Sequence, residues 1–134
     1  MKRAIAVMLI AVVAAFAIAA KKEEGKDVTV TKEIGMRHVV MFKYKEGTSA
    51  EDMAKVMRAF LDLKSKVDVI VDVEAGSDVG VENLSKGFQH CFIVSFADAA
   101  GRDAYLPHPA HKEFVAFLQP YLEDVHVIDF VPQR

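Results

Sequence analysis

The sequence predicts an α+β protomer, a four-stranded antiparallel sheet with helices on one face. Three observations carry this. Four segments alternate apolar and polar residues with period two, two regions carry apolar stripes at helical spacing, and their order is β-α-β-β-α-β. The 134 residues suffice for one domain, and 52% hydrophobic with 27% charged is the balance of an ordinary packed globule.

The first strand is Arg37 to Lys45, with His38, Val40, Phe42 and Tyr44 on one face and Val39 and Met41 on the other. Thr48 and Glu51 then form a Thr-x-x-Glu capping box that opens a helix. Met53, Val56, Met57, Phe60 and Leu63 make its buried stripe. The second strand is Val69 to Ala75, with Val69, Val71, Val73 and Ala75 together, and a polar loop follows from Gly76 to Gly87. The third strand, Phe88 to Phe96, places Phe88, His90, Phe92, Val94 and Phe96 on one face. Asp98 caps a short helix through Tyr105. Pro107 and Pro109 break the chain before a second helical segment from about Ala110 to Gln119, striped by Phe114, Val115 and Leu118. After Pro120, Val125 to Val131 closes the pattern as the fourth strand. The arrangement is the ferredoxin-like split βαβ, lying within residues 36–134.

Helices can cover only one face of such a sheet, yet both faces carry large apolar groups: Phe42 against Met41 in the first strand, Phe92 against Ile93 in the third, and Val127 against Ile128 and Phe130 in the last. Leaving the second face wet would forfeit roughly 1.5–3 kcal/mol for each side chain that could be buried, and monomers rarely tolerate such a patch. A homodimer through sheet-to-sheet packing is therefore expected. Upstream, Met1-Lys2-Arg3 precedes an apolar run from Ala4 to Ala20 that ends in small residues. Residues 1–19 read as a secretory signal cut after Ala19, with a retained membrane anchor as the alternative. Residues 20–35 read as a polar linker with at most a short edge strand at Val28 and Val30. Export makes the protein periplasmic or secreted, with no membrane contact after cleavage.

The 17 Lys and Arg against 19 Asp and Glu, net −2, exclude the basic surplus of a nucleic-acid binder. The single Cys91 can form no internal disulfide, and its place in a strand points to burial. There is no glycine-rich phosphate loop, nucleophile elbow or thiol–histidine motif, so no cofactor is expected. The chemistry-bearing residues are His38, His90 and the block Tyr105-Leu106-Pro107-His108-Pro109-Ala110-His111. A proline-stiffened turn holds two imidazoles near a phenol. Imidazole serves as a general base, and a phenol can hold a carbonyl oxygen. The structural alternative makes His108 a helix cap with Pro109 at the first helical position. A metal reading would use His108, His111 and His90, but no acidic residue stands at supporting spacing, so no metal is expected.

Four segments together carry a family resemblance: Arg37 to Lys45, His90 to Phe96, Tyr105 to His111, and Val127-Ile128-Asp129-Phe130. The chain resembles the stress-responsive dimeric α/β-barrel (Dabb) family over about residues 36–132, most specifically in Tyr-x-x-His-Pro-x-His. The resemblance implies a ferredoxin-like protomer whose sheets pair into a barrel. A plant enzyme of this type cyclises a linear polyketide thioester by aldol condensation without a cofactor. Its catalytic pair would fall on Tyr105 and His111, and its pocket histidines on His38 and His90. The expected function is a stress-associated barrel binding a small apolar or carbonyl-containing molecule, with His38, His90, His108, Phe42 and Phe92 around the ligand. The alternatives are a cofactor-independent lyase or cyclase, with His111 as base and Tyr105 orienting the carbonyl, and a non-catalytic structural or chaperone-like dimer.

Overall fold

Alternation in the sequence becomes alternation of burial in the first strand. The computed structural model describes residues 32–134; the expected signal at 1–19 and most of the linker lie outside the described residues. In β1 (Met36–Tyr44) every second residue is buried, namely Met36, His38, Val40, Phe42 and Tyr44. These face the helices, as strand geometry requires of residues two apart.

Helix α1 (Ala50–Lys66) begins one residue later than a Thr48 cap would place it. Thr48 Oγ1 donates to the Lys45 carbonyl (2.6 Å) and closes the turn at Gly47, whose φ is +81°. Ser49 is then the cap, its Oγ accepting from the Asp52 amide at 3.1 Å. Glu51 instead reaches Lys55 one turn on, and the acidic first turn and basic last turn complement the helix dipole. Ser49→Ala should therefore cost about 1 kcal/mol in urea unfolding, and Thr48→Ala no more than about 0.5 kcal/mol. Val56, Phe60 and Leu63 are the buried stripe, with Met53 and Met57 packed at its margin.

β2 (Ile70–Ser77) carries a register irregularity between Ile70 and Asp72. The bulge breaks strict alternation, so Ile70 rather than Val71 lies opposite Phe96 and shares the inner face with Val73. β3 (His90–Phe96) buries His90, Phe92, Val94 and Phe96, as its period predicts. Phe88 departs from the expected set. Its amide bonds back to the Ser85 carbonyl in a turn with Gly87 at φ +84°, and its ring lies 6.2 Å from His126.

Asp98 caps α2 (Ala99–Tyr105), accepting from the Gly101 amide at 2.9 Å. α3 (Pro109–Leu118) and β4 (Leu122–Phe130) complete the chain, β4 starting three residues earlier than its apolar alternation suggested. The antiparallel sheet runs β2-β3-β1-β4, leaving β4 at an edge. This is the ferredoxin-like α+β fold. Its core is aromatic: Phe60 stacks on Phe92 with centroids 4.0 Å apart and meets Phe114 edge-on at 5.2 Å.

The register sets the other face. Val39 pairs with Ile93 and Ile128, Met41 with Cys91 and His126, and Arg37 with Phe130. Ile128 and Phe130 are 49% and 42% exposed in the protomer. Cys91 is not in the core but half-buried on this outer face, because the inner positions of β3 belong to His90 and Phe92.

Candidate functional site

A cavity of about 210 Å³ opens between the inner face of β1 and β4 and the three helices. Four of the sequence-nominated residues line it: His38 and Phe42 from β1, Tyr105 from the end of α2, and His111 from α3. The apolar wall is continued by Phe60, Phe114 and Val127.

Local structure explains how Tyr105 and His111 meet. The His108 amide donates to the Tyr105 carbonyl (3.0 Å), turning the chain at Pro107. His108 then caps α3, its Nδ1 accepting from the Ala110 amide at 3.0 Å, and Pro109 occupies the first turn, where no amide donor is needed. His111 lies just inside the new helix and reaches back to α2. Its Nδ1 donates to the Leu106 carbonyl at 2.9 Å, satisfying an acceptor left open by the helix end. With the proton fixed on Nδ1, Nε2 carries the lone pair of the neutral ring. Burial pulls the His111 pKa below its ordinary value, the Leu106 bond opposes this, and the nearby His38 and His108 charges reinforce it.

Tyr105 sits between the two histidines, its centroid 4.4 Å from His111 and 5.8 Å from His38. Its side chain is 1% exposed, and burial alone raises its pKa, which keeps the phenol protonated. Residues distant in the chain supply the support behind His38. Its Nδ1 donates to Asp129 Oδ1 at 2.5 Å, and Arg102 Nη1 donates to Asp129 Oδ2 at 3.1 Å. His38 and Asp129 are cross-strand partners in the β1–β4 register, so the pair was readable only once that register was known. The carboxylate fixes the tautomer of His38 as the Leu106 carbonyl fixes that of His111.

The other nominated residues stand apart. His90 is buried and hydrogen-bonded to the Tyr44 hydroxyl at 2.8 Å, outside this cavity. His108 is used as the cap, and Phe92 lies under Phe60 without lining the cavity. Among the described residues no group of three His, Cys, Asp or Glu side chains could hold a metal ion.

Both His90 and His111 have pKa values pushed down from 6.5 by burial. Above about pH 6.5 both are neutral in the folded and unfolded chain, so they leave stability flat. Below it the unfolded chain takes up protons first, and stability should fall until pH passes the lowered folded values. Thermal melts from pH 8 to pH 5 test this, and His90→Asn with His111→Asn should flatten the acid limb.

A ferredoxin-like sheet roofed by helices, with a histidine- and tyrosine-bordered cavity between the layers, defines an A/B barrel protomer with room for a small molecule. Residues 36–132 match the stress responsive A/B barrel domain, and the chain belongs to that family. It is 31% identical over 97 residues to the stress-response A/B barrel domain-containing protein HS1 of Arabidopsis thaliana, covering 72% of this chain and 89% of the relative. It is 23% identical over 101 residues to olivetolic acid cyclase of Cannabis sativa, covering 75% of this chain and all (100%) of the cyclase. Hydroxynitrile lyase from Passiflora edulis has a similar fold, with TM-score 0.69 and 24% identity over 76% of this chain and 95% of the lyase. So does a dimeric ferredoxin-like protein from Thermobifida fusca, with TM-score 0.64 and 21% identity over 75% and 93% of the two chains.

Proposed function

We propose that this chain is exported, pairs with a second copy through the outer faces of the sheet, and binds a small apolar or carbonyl-containing molecule in the cavity of each protomer. The observation that carries the binding reading is Tyr105. Its side chain is almost wholly buried at the cavity wall, yet its hydroxyl has no hydrogen-bond partner among the described residues and is not sealed into the core. A phenol hydroxyl left accessible at a cavity wall without a protein partner is free to donate to a ligand carbonyl. Titration with acetophenone, followed by NMR, should move resonances of His38, Tyr105 and His111. Shifts confined to the outer sheet face, or none, would overturn the reading.

A second reading, cofactor-independent lyase or cyclase chemistry, is favoured by the tautomer of His111. Its Nε2 would take a proton from a hydroxyl or from carbon beside a carbonyl, while the Tyr105 hydroxyl donates a hydrogen bond to the carbonyl oxygen. A lyase and a cyclase are among the similar proteins.

Support for the homodimer comes from Ile128 and Phe130, about half exposed on the face the helices leave open, and from the dimeric neighbour of like fold. Sedimentation should give a dimer at micromolar concentration and a monomer for Ile128→Glu; a monomeric parent chain would refute the pairing. Support for export is the basic start and apolar run of residues 1–20. Intact mass should place the mature N-terminus at Ala20, whereas an uncut, membrane-bound chain would favour the anchor.

A further inference from the structure

The outer face of the sheet carries a row of soft donors. Across the strands Gly76 pairs with Cys91, Cys91 with Met41, and Met41 with His126. A thiol, a thioether and an imidazole therefore stand side by side on three neighbouring strands, on the side away from the helices. Opposed Cβ atoms of neighbouring strands lie about 4.5–5.5 Å apart. An ion over the Met41 sulfur is thus one strand spacing from each of the other two donors.

There is room for an ion beside this row. Met41, Gly76 and Cys91 line a hollow of about 310 Å³. A Cβ on Gly76 would meet nothing within 4 Å, so the β2 end of the row is open. Phe88 also lines the hollow, and the His126 ring lies 6.2 Å from it. Met41 and Cys91 are half-buried and His126 is exposed, so the donors are within reach without opening the core.

The donor types decide the cation. Burial raises the Cys91 pKa, so the free thiol keeps its proton and is a poor nucleophile. A thiophilic cation replaces that proton. The metal–sulfur bond forms as the S–H bond breaks, the proton leaves to solvent, and no oxidation state changes. Magnesium and calcium take oxygen ligands, whereas zinc takes thiolate, imidazole and carboxylate. Asp78 is the carboxylate at the hollow, and it accepts from the Gly80 amide at 2.9 Å. A thioether completes the set, and thioether with thiolate selects a soft ion such as Cu(I).

We propose that Cys91, Met41 and His126 form a three-donor site for Cu(I) on the outer face of the sheet. All three donors belong to one protomer, so the site is independent of the cavity reading and does not require the second copy. A copy paired over this face would close the ion from water.

The test is anaerobic competition between the purified protein and the chromophoric chelator bicinchoninate for Cu(I). The parent should take one Cu(I) per protomer from the chelator. Cys91→Ser, Met41→Leu and His126→Asn should each weaken binding by at least about tenfold, since even a group behind a metal ligand is worth that much. Circular dichroism checks the fold of each variant. Binding by Met41→Leu and His126→Asn within about threefold of the parent would reduce the site to a lone thiol and overturn the proposal. Zn(II) that displaces Cu(I) at equal concentration would overturn the selection for a soft ion. No variant is needed for the remaining arm, methyl NMR of methionine-labelled parent protein with Ag(I), a redox-inert ion of like softness. The Met41 methyl should shift while those of Met36, Met53 and Met57 stay; shifts at the latter, or none, would refute the site.

Discussion

If the cavity carries out the lyase or cyclase chemistry proposed above, replacing His111 with alanine is expected to lower turnover by about 10²–10⁴-fold, with the fold retained. The ring makes one bond to the Leu106 carbonyl and packs on Tyr105, so stability should drop by only about 1 kcal/mol. The pH profile separates a base from a packing residue. Because burial holds the His111 pKa below 6.5, kcat/KM of the parent should rise with pH through an acidic limb and be flat by neutrality. The variant should lose that limb. Tyr105→Phe keeps the ring and removes the hydroxyl alone; it should weaken binding of neutral carbonyl compounds with little change in melting temperature. Turnover within threefold of the parent after His111→Ala would refute the role of the imidazole as base.

The largest loss of stability is expected from Phe92→Ala. Phe92 is fully buried and stacked on Phe60 at 4.0 Å, with the ring of Phe42 at 5.0 Å. Truncating a buried phenylalanine removes its transfer energy and leaves a hole, costing about 3–5 kcal/mol. That is a large part of the ~5–15 kcal/mol that holds a domain of this kind together. Phe92→Leu, which keeps most of the volume, should cost less than about 1.5 kcal/mol. Urea denaturation resolves the two. A loss under about 1 kcal/mol for the alanine variant would mean that the aromatic stack is not the keystone of this core.

Strands and helices were legible wherever the signal is local. The alternation of β1 predicts its burial residue by residue, and the α1 stripe at Val56, Phe60 and Leu63 is where the period puts it. Errors arose where a neighbour competes for the same group. Thr48 has capping chemistry, but the Lys45 carbonyl claims its hydroxyl, and the cap passes to Ser49. A bulge near Val71 has no sequence signature strong enough to show beforehand. In the candidate site, Tyr105 and His111 were readable because six residues and two prolines fix their relation. Asp129 was not, since it reaches His38 across a strand pair joining distant parts of the chain. His90 shares the inner face with His38, yet the β1–β3 register sets it opposite Phe42 and against Tyr44, away from the cavity.

The link between His38 and Asp129 makes the outermost strand a partner in whatever the cavity does. Edge strands fray more readily than those paired on both sides, and within the protomer β1 is the one strand neighbour of β4. Each excursion that peels β4 away also frees His38 from the carboxylate that orients it and removes Val125 and Val127 from the wall. A ligand bound as proposed would thus draw on the same free energy that keeps β4 closed, and its occupancy would slow amide exchange along that strand by mass action. Proposed recognition and the breathing of the sheet margin would in this way be a single equilibrium.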